Sequence, residues 1–254
     1  MPSATTDPTA RAALGRALRH RLRSVLRKWS HRPPVGHVRF GSLRRLTPFS
    51  RDFGLMRGQA VDRFYIERFL AQHSGDIRGA VLEVGDATYT RSFGAAAVTR
   101  SDVLHLRPGN PEATIVGDLT DVGVLPADTF DCIILTQTLQ FVFDAQAALR
   151  TASRGLKPGG VLLATFPGIS QISRYDMDRW GDYWRFTSLS ARRLFETTFP
   201  AEHVSVEAHG NVLAAAAFLY GLAVEDLRPE ELEADDPDYE LIITVRAVKE
   251  QAAP

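Results

Sequence analysis

From residue 61 onward, short apolar runs alternate with longer stretches in which apolar residues return every three or four positions. Residues 61–73 set Phe64, Ile66, Phe69 and Leu70 at helical spacing, which predicts a helix. Gly79-Ala80-Val81-Leu82-Glu83-Val84-Gly85 follows as a short buried strand closing on a glycine turn. The same pattern predicts strands at 96–99, 113–116, 130–135, 160–166, 204–208 and 241–245, with helices notably at 145–156 and 189–199. Short apolar strands separated by helices predict parallel βαβ units with both sheet faces covered, a doubly wound α/β fold. Thr187-Ser188-Leu189-Ser190 is read as the cap of its helix.

The first 51 residues follow a different rule. Leu14, Leu18, Leu22, Val25, Leu26 and Trp29 line one face of a predicted helix whose other faces carry Arg16, Arg19, Arg21, Arg23, Arg27 and Lys28. A basic amphipathic helix of this kind can lie on an anionic membrane surface; the plainer reading is a tail that is solvated or packed on its own domain. His31-Arg32-Pro33-Pro34-Val35-Gly36 ends it as a hinge. The expected organisation is a basic arm, 1–51, and a domain, 52–254.

Charge sharpens that division. The arm holds 12 Lys or Arg and one acid, a balance of +11, while the remaining 203 residues hold 18 bases and 29 acids, a balance of −11. An acidic domain repels phosphate, which argues against nucleic acid as its substrate. No run approaches 18 consecutive apolar residues, and arginines interrupt any secretory-type stretch. The single cysteine, Cys132, sits in an apolar run and reads as a small buried hydrophobe. The seven histidines are scattered, so no metal constellation is expected. The expected compartment is the cytoplasm, with peripheral membrane contact through the arm.

In a doubly wound sheet, ligands bind outside the carboxyl ends of the strands, where strand order reverses. The expected strand ends read Glu83-Val84-Gly85-Asp86-Ala87-Thr88, then Arg100-Ser101-Asp102-Val103-Leu104-His105, then Val116-Gly117-Asp118-Leu119, then Leu135-Thr136-Gln137-Thr138-Leu139-Gln140. Acids at three successive ends suit a cationic, hydroxyl-bearing nucleoside ligand.

With these residues in view, the chain over roughly 55–248 resembles class I S-adenosylmethionine-dependent methyltransferases, especially the type 11 group. Glu83-x-Gly85 with Asp86 looks like the start of the family's glycine-rich motif. Asp102, with Val103, resembles the acid that takes the ribose hydroxyls, and Asp118 with Leu119 the pair that contacts adenine. Phe130 to Ile134 followed by Thr136 and Gln137 is similar to the fourth motif, and Lys157-Pro158-Gly159-Gly160 to the turn into strand five. Gly85 to Thr90 and Trp180 to Phe186 resemble a subgroup associated with bacterial glycan or glycosyltransferase gene clusters. The resemblance implies a mostly parallel seven-stranded, Rossmann-like sheet and S-adenosyl-L-methionine as cofactor. It implies methyl transfer to a small-molecule, glycan or lipid-linked acceptor, at oxygen.

The sequence departs from that family at Ala87 and Tyr89, where loop glycines are usual. A catalytically inactive binding module is therefore an alternative. A nicotinamide-dependent oxidoreductase is another, weakened by the absence of Gly-x-Gly-x-x-Gly after strand one and of a Tyr-x-x-x-Lys pair. On the acceptor side, Tyr175, Arg179, Trp180, Tyr183, Trp184 and Arg185 crowd one polar loop. Aromatic rings can stack on sugars or flat ligands while charged groups bond hydroxyls or phosphates, although such clusters also arise from packing. Asp176, His105 and His209 are the candidate bases.

Overall fold

The computed structural model describes residues 32–251, so the amphipathic helix expected at 14–29 lies outside the described residues. The chain divides into two compact units, Met1–Leu46 and Thr47–Pro254. In the first, Arg44 lies over the Phe40 ring beside a 3-10 turn, Gly41–Leu43. In the second, residues expected in the arm already belong to the folded body: Ser50 is buried, and the Phe49 amide donates to Tyr220 O at 2.7 Å.

The body is one seven-stranded sheet. Its strands are β1 (Gly79–Val84), β2 (Val98–His105), β3 (Ile115–Val116), β4 (Phe130–Thr136), β5 (Leu156–Pro167), β6 (Val204–His209) and β7 (Ile242–Val248). They lie in the order β3-β2-β1-β4-β5-β7-β6. All neighbouring pairs from β3 to β5 are parallel, and β7 runs antiparallel to both β5 and β6. This is the doubly wound, mostly parallel sheet expected from the sequence. Chain order reverses between β1 and β4, which fixes the place where a ligand should bind.

Two apolar layers follow from the period of two along the strands. Leu82, Ile133, Leu135, Leu162 and Ala164 join a cluster with Ala148 and Leu149 of α2 (Ala145–Gly155) and Phe195 of α4 (Ser188–Glu196). The alternate residues Val81, Cys132, Ile134, Val161 and Leu163 join Tyr65, Ile66 and Leu70 of α1 (Val61–Gln72) and Phe218 of α5 (Val212–Leu219). The short helices α3 (Arg174–Met177) and α6 (Pro229–Glu233) lie in connections. Cys132 is fully buried, as its apolar run implied.

Local chemistry sets the helix starts. Asp144 accepts from Ala147 N at 2.9 Å to begin α2. Thr187 and Ser190 form the capping box of α4, as expected, and Asn211 caps α5. Asp131 accepts from Ala80 N and Lys157 Nζ, each at 2.7 Å, tying the starts of β1, β4 and β5 together.

The sequence pattern misplaces one strand in a way that matters. β2 extends to His105, whereas 96–99 was expected, because its first half is exposed and polar and only Asp102, Val103 and Leu104 are buried. No regular α-helix follows β1; a π-helical turn, Thr90–Gly94, and a 3-10 turn, Ala95–Ala97, make the connection.

Candidate functional site

Two adjoining cavities open at the β1/β4 reversal. The larger, about 720 Å³, is lined by Gly85, His105, Asp118, Leu119, Thr138 and Trp180, among others. The smaller, about 550 Å³, is lined by Phe53, Asp62, Arg63, Glu67, Tyr89 and Gln140, among others. Val84, Asp86, Thr136, Gln137, Phe141 and Asp176 line both.

The turn after β1 is built by carboxylates. Gly85 takes φ +96°, and a Cβ added there would meet nothing within 4 Å, so the bare backbone leaves the cavity open at this strand end. The Asp86 Oδ1 accepts from Thr88 N at 2.7 Å. Glu83, 2% exposed, accepts from Tyr89 N at 3.1 Å, Thr90 N at 2.8 Å and Thr90 Oγ1 at 2.7 Å. Burial holds the Glu83 carboxyl above its ordinary range, although those three donors pull it down. Glycine's usual place in the loop is thus taken by a backbone held from below. The Tyr89 ring is buried, lines the smaller cavity, and its hydroxyl accepts from Arg63 Nη1.

Asp102 requires a correction. It stands in the interior of β2 rather than at its end, accepts from Arg100 Nε at 2.5 Å and Thr114 Oγ1 at 2.9 Å, and lines neither cavity. Val103 is likewise buried in the strand and outside both linings. The strand end belongs to His105, whose Nδ1 lies 2.7 Å from Arg107 O. The Arg107 amide lies 3.3 Å from the same Nδ1, so either tautomer of the ring finds a backbone partner at Arg107.

Asp118 and Leu119 line the larger cavity where expected. Asp118 spends Oδ1 on Thr120 N and Oγ1, both at 2.8 Å, and keeps Oδ2 for another donor. At the end of β4, Gln137 adopts φ +48° and is pinned by its amide to Thr165 O at 3.1 Å. A non-glycine residue in that conformation is strained, and such strain concentrates at functional sites.

The aromatic loop folds against the segment that follows β4. The amides of Tyr183 and Trp184 both donate to Gln140 O, at 2.9 and 3.2 Å. Tyr175, Trp180 and Tyr183 line the larger cavity. Trp184 does not: its Nε1 donates to Val142 O at 3.1 Å and its ring stacks on Phe143. Arg185 makes a double contact with Asp182; burial raises that carboxyl, but the Arg185 hydrogen bonds, the Ser173 amide and the Arg185 charge together hold it below the usual carboxylate range. Arg179 packs its guanidinium on the Tyr175 ring at 3.4 Å and lies outside both linings. The substrate-binding expectation for Trp184, Arg179 and Arg185 is therefore corrected: all three hold the loop's own shape.

Of the three candidate bases, Asp176 lines both cavities, with Oδ1 accepting from Trp180 Nε1 and Oδ2 from Ser173 Oγ. His105 lines only the larger cavity. His209 is excluded by position: it ends β6 at the sheet edge, bonds Thr244 Oγ1 at 3.1 Å, and stacks on Tyr65. Sequence reasoning missed Asp62, Arg63 and Glu67, which α1 presents to the smaller cavity. The only signal was a charged pair inside an otherwise apolar helix start.

Residues 87–164, from the β1 turn into β5, match the model of a family described as a methyltransferase domain. This segment is a methyltransferase domain. Enzymes of this class draw their methyl group from S-adenosylmethionine. No curated protein matches the chain. Solved structures similar to this chain include an S-adenosylmethionine-dependent methyltransferase from Mesorhizobium loti. It is 16% identical, with a TM-score of 0.48 over 74% of this chain and 98% of that one. The N-methyltransferase NodS from Bradyrhizobium japonicum, solved with S-adenosyl-L-homocysteine, is 15% identical, with a TM-score of 0.46 over 79% and 93%. Phosphoethanolamine N-methyltransferase 2 from Haemonchus contortus, solved with S-adenosyl-L-methionine, is 13% identical, with a TM-score of 0.47 over 84% and 55%.

Proposed function

We propose that the protein holds S-adenosylmethionine along the larger cavity and transfers its methyl group to a small polar or glycan-like acceptor in the smaller one. The observation that carries this reading is the shared wall, Val84, Asp86, Thr136, Gln137, Phe141 and Asp176, where the two cavities meet at the sheet's reversal point. The residues suit the cofactor. Asp118 Oδ2 is free to accept from an adenine amine, His105 lines the same cavity where a ribose hydroxyl would lie, and Gly85 admits close backbone approach. When bound, S-adenosylmethionine supplies an electrophilic methyl on a sulfonium sulfur.

The chain's own residues then have little covalent work. Transfer to a nucleophile needs alignment and exclusion of water more than bond-making by the enzyme. Tyr175, Trp180 and Tyr183 close the larger cavity over the β4 end. Asp176 stands where the cavities meet and is the carboxylate placed to receive a proton from an acceptor hydroxyl or amine.

Calorimetric titration of the full chain with S-adenosylhomocysteine tests the reading. Saturable one-site binding is expected. Asp118→Ala should weaken it about tenfold or more, since a charge-assisted hydrogen bond contributes roughly 1.5–3 kcal/mol. No binding at all would favour the inactive module, and tighter binding of a nicotinamide dinucleotide would favour the oxidoreductase. The basic arm is read as a contact with anionic membrane.

A further inference from the structure

The smaller cavity is short of donors. Five carboxylates line it, Asp62, Glu67, Glu83, Asp86 and Asp176, against one guanidinium, Arg63. Among the described residues none of the five is in a salt bridge. Arg63 Nη1 donates to the Tyr89 hydroxyl, and its guanidinium lies over the Tyr89 ring. The Gln59 side chain donates to Glu67 Oε2 at 2.7 Å, and Ser173 Oγ donates to Asp176. Carboxylates thus outnumber the one guanidinium of this lining five to one.

Two of the lining's acceptors stand out. Asp62 Oδ1 takes the Arg63 amide at 2.8 Å, while Oδ2 has no hydrogen-bond partner. Gln140 is 3% exposed, lines the same cavity, and leaves Oε1 without any partner. For Gln140 Oε1, which is closed to solvent, the missing partner is costly and calls for an explanation. The rings of Phe53, Tyr89 and Phe141 in the same lining add faces that attract cations.

We propose that the acceptor is an organic cation, an ammonium-bearing molecule whose charged N–H groups are received by Asp62 in the smaller cavity. This rests on the methyl-transfer reading above. The cofactor's own ammonium does not account for the arrangement, because Asp62 and Glu67 line the smaller cavity alone. Glu83 is occupied by the Tyr89 and Thr90 amides. Burial raises the Asp62 carboxyl above its ordinary value more than Arg63 lowers it, which an arriving cation would reverse.

The test uses two probes of like size, cyclohexylammonium and the neutral cyclohexanol, titrated by NMR into the full chain saturated with S-adenosylhomocysteine. At about pH 8 the ammonium is charged. Cyclohexylammonium is expected to bind at least about tenfold more tightly, and Asp62→Asn, which keeps the shape and removes the charge, to abolish that preference. Homocysteine-nucleoside affinity and melting temperature serve as controls and should stay near wild type. Should Asp62→Asn fail to fold, Glu67→Gln carries the test with an expected loss of about threefold for the cation alone. Equal binding of the two probes, binding of neither, or a preference that survives the substitution overturns the proposal. Failure of S-adenosylhomocysteine to bind overturns instead the reading on which it rests.

Discussion

Glu83 is where ligand binding and folding give opposite expectations. Its carboxylate receives two backbone amides and one hydroxyl and is almost wholly buried. Glu83→Ala leaves Tyr89 N and Thr90 N without an acceptor, while the Thr90 hydroxyl can rotate away. At roughly 1–3 kcal/mol for each orphaned donor, the loss is about 2–6 kcal/mol. That is a large part of the roughly 5–15 kcal/mol by which a domain is stable. Glu83→Gln keeps one acceptor oxygen and turns the other into a donor facing an N–H, so its cost is smaller, about 1–3 kcal/mol. Urea denaturation followed by circular dichroism measures both. The pH dependence has a definite sign. Because the folded carboxyl lies above its ordinary value of 4.5, the folded state holds its proton longer, and wild-type stability falls as pH rises from that value through the folded one. The advantage over Glu83→Gln therefore shrinks across that window. If Glu83→Ala stays within about 0.5 kcal/mol of wild type while S-adenosylhomocysteine affinity collapses, Glu83 acts on the ligand and the folding argument is refuted.

Two further outcomes separate neighbours that look alike in sequence. Asp102→Ala should destabilise the protein by about 1–3 kcal/mol through Arg100 and Thr114 and leave S-adenosylhomocysteine affinity within about twofold, whereas His105→Ala should weaken that affinity about tenfold; calorimetry showing the reverse order restores Asp102 to the ribose. Trp180→Ala should cut methyl transfer while melting little changed, because Trp180 lines the larger cavity. Trp184→Ala should lower the melting temperature through loss of its stack on Phe143 and its bonds to the 142–143 carbonyls; equal effects on turnover and melting in both variants would show one packed cluster.

The strands that cover both faces were legible because their burial is continuous. β4, with Cys132, Ile133, Ile134 and Leu135 all fully buried, has no polar face to confuse with a loop. β2 was not legible, since it lies one strand from the edge and shows Thr99, Arg100 and Ser101 to solvent. α5 was missed for the opposite reason: Val-Leu-Ala-Ala-Ala-Ala-Phe-Leu has no polar face, and only Asn211 announces it, accepting from Leu213 N and Ala214 N.

The site inherits both kinds of error. A strand that continues three residues past Asp102 places His105, and not the acid, in the lining of the larger cavity. Tyr89 was read as a loop that had lost its glycine, yet its backbone is ordinary, at φ −74°, and it is the side chain that changes function by closing one wall of the smaller cavity. No spacing rule along the chain joins Tyr89 to Arg63, because α1 and the β1 turn meet only once the sheet has formed. The acids of α1 reach the site the same way: Asp62 lies 24 residues before Asp86 in sequence, and both line one cavity. What the chain displays locally is therefore the larger cavity, made from successive strand ends in their own order. The smaller cavity is made by a helix laid across those ends, and its chemistry becomes visible only when the layers are stacked.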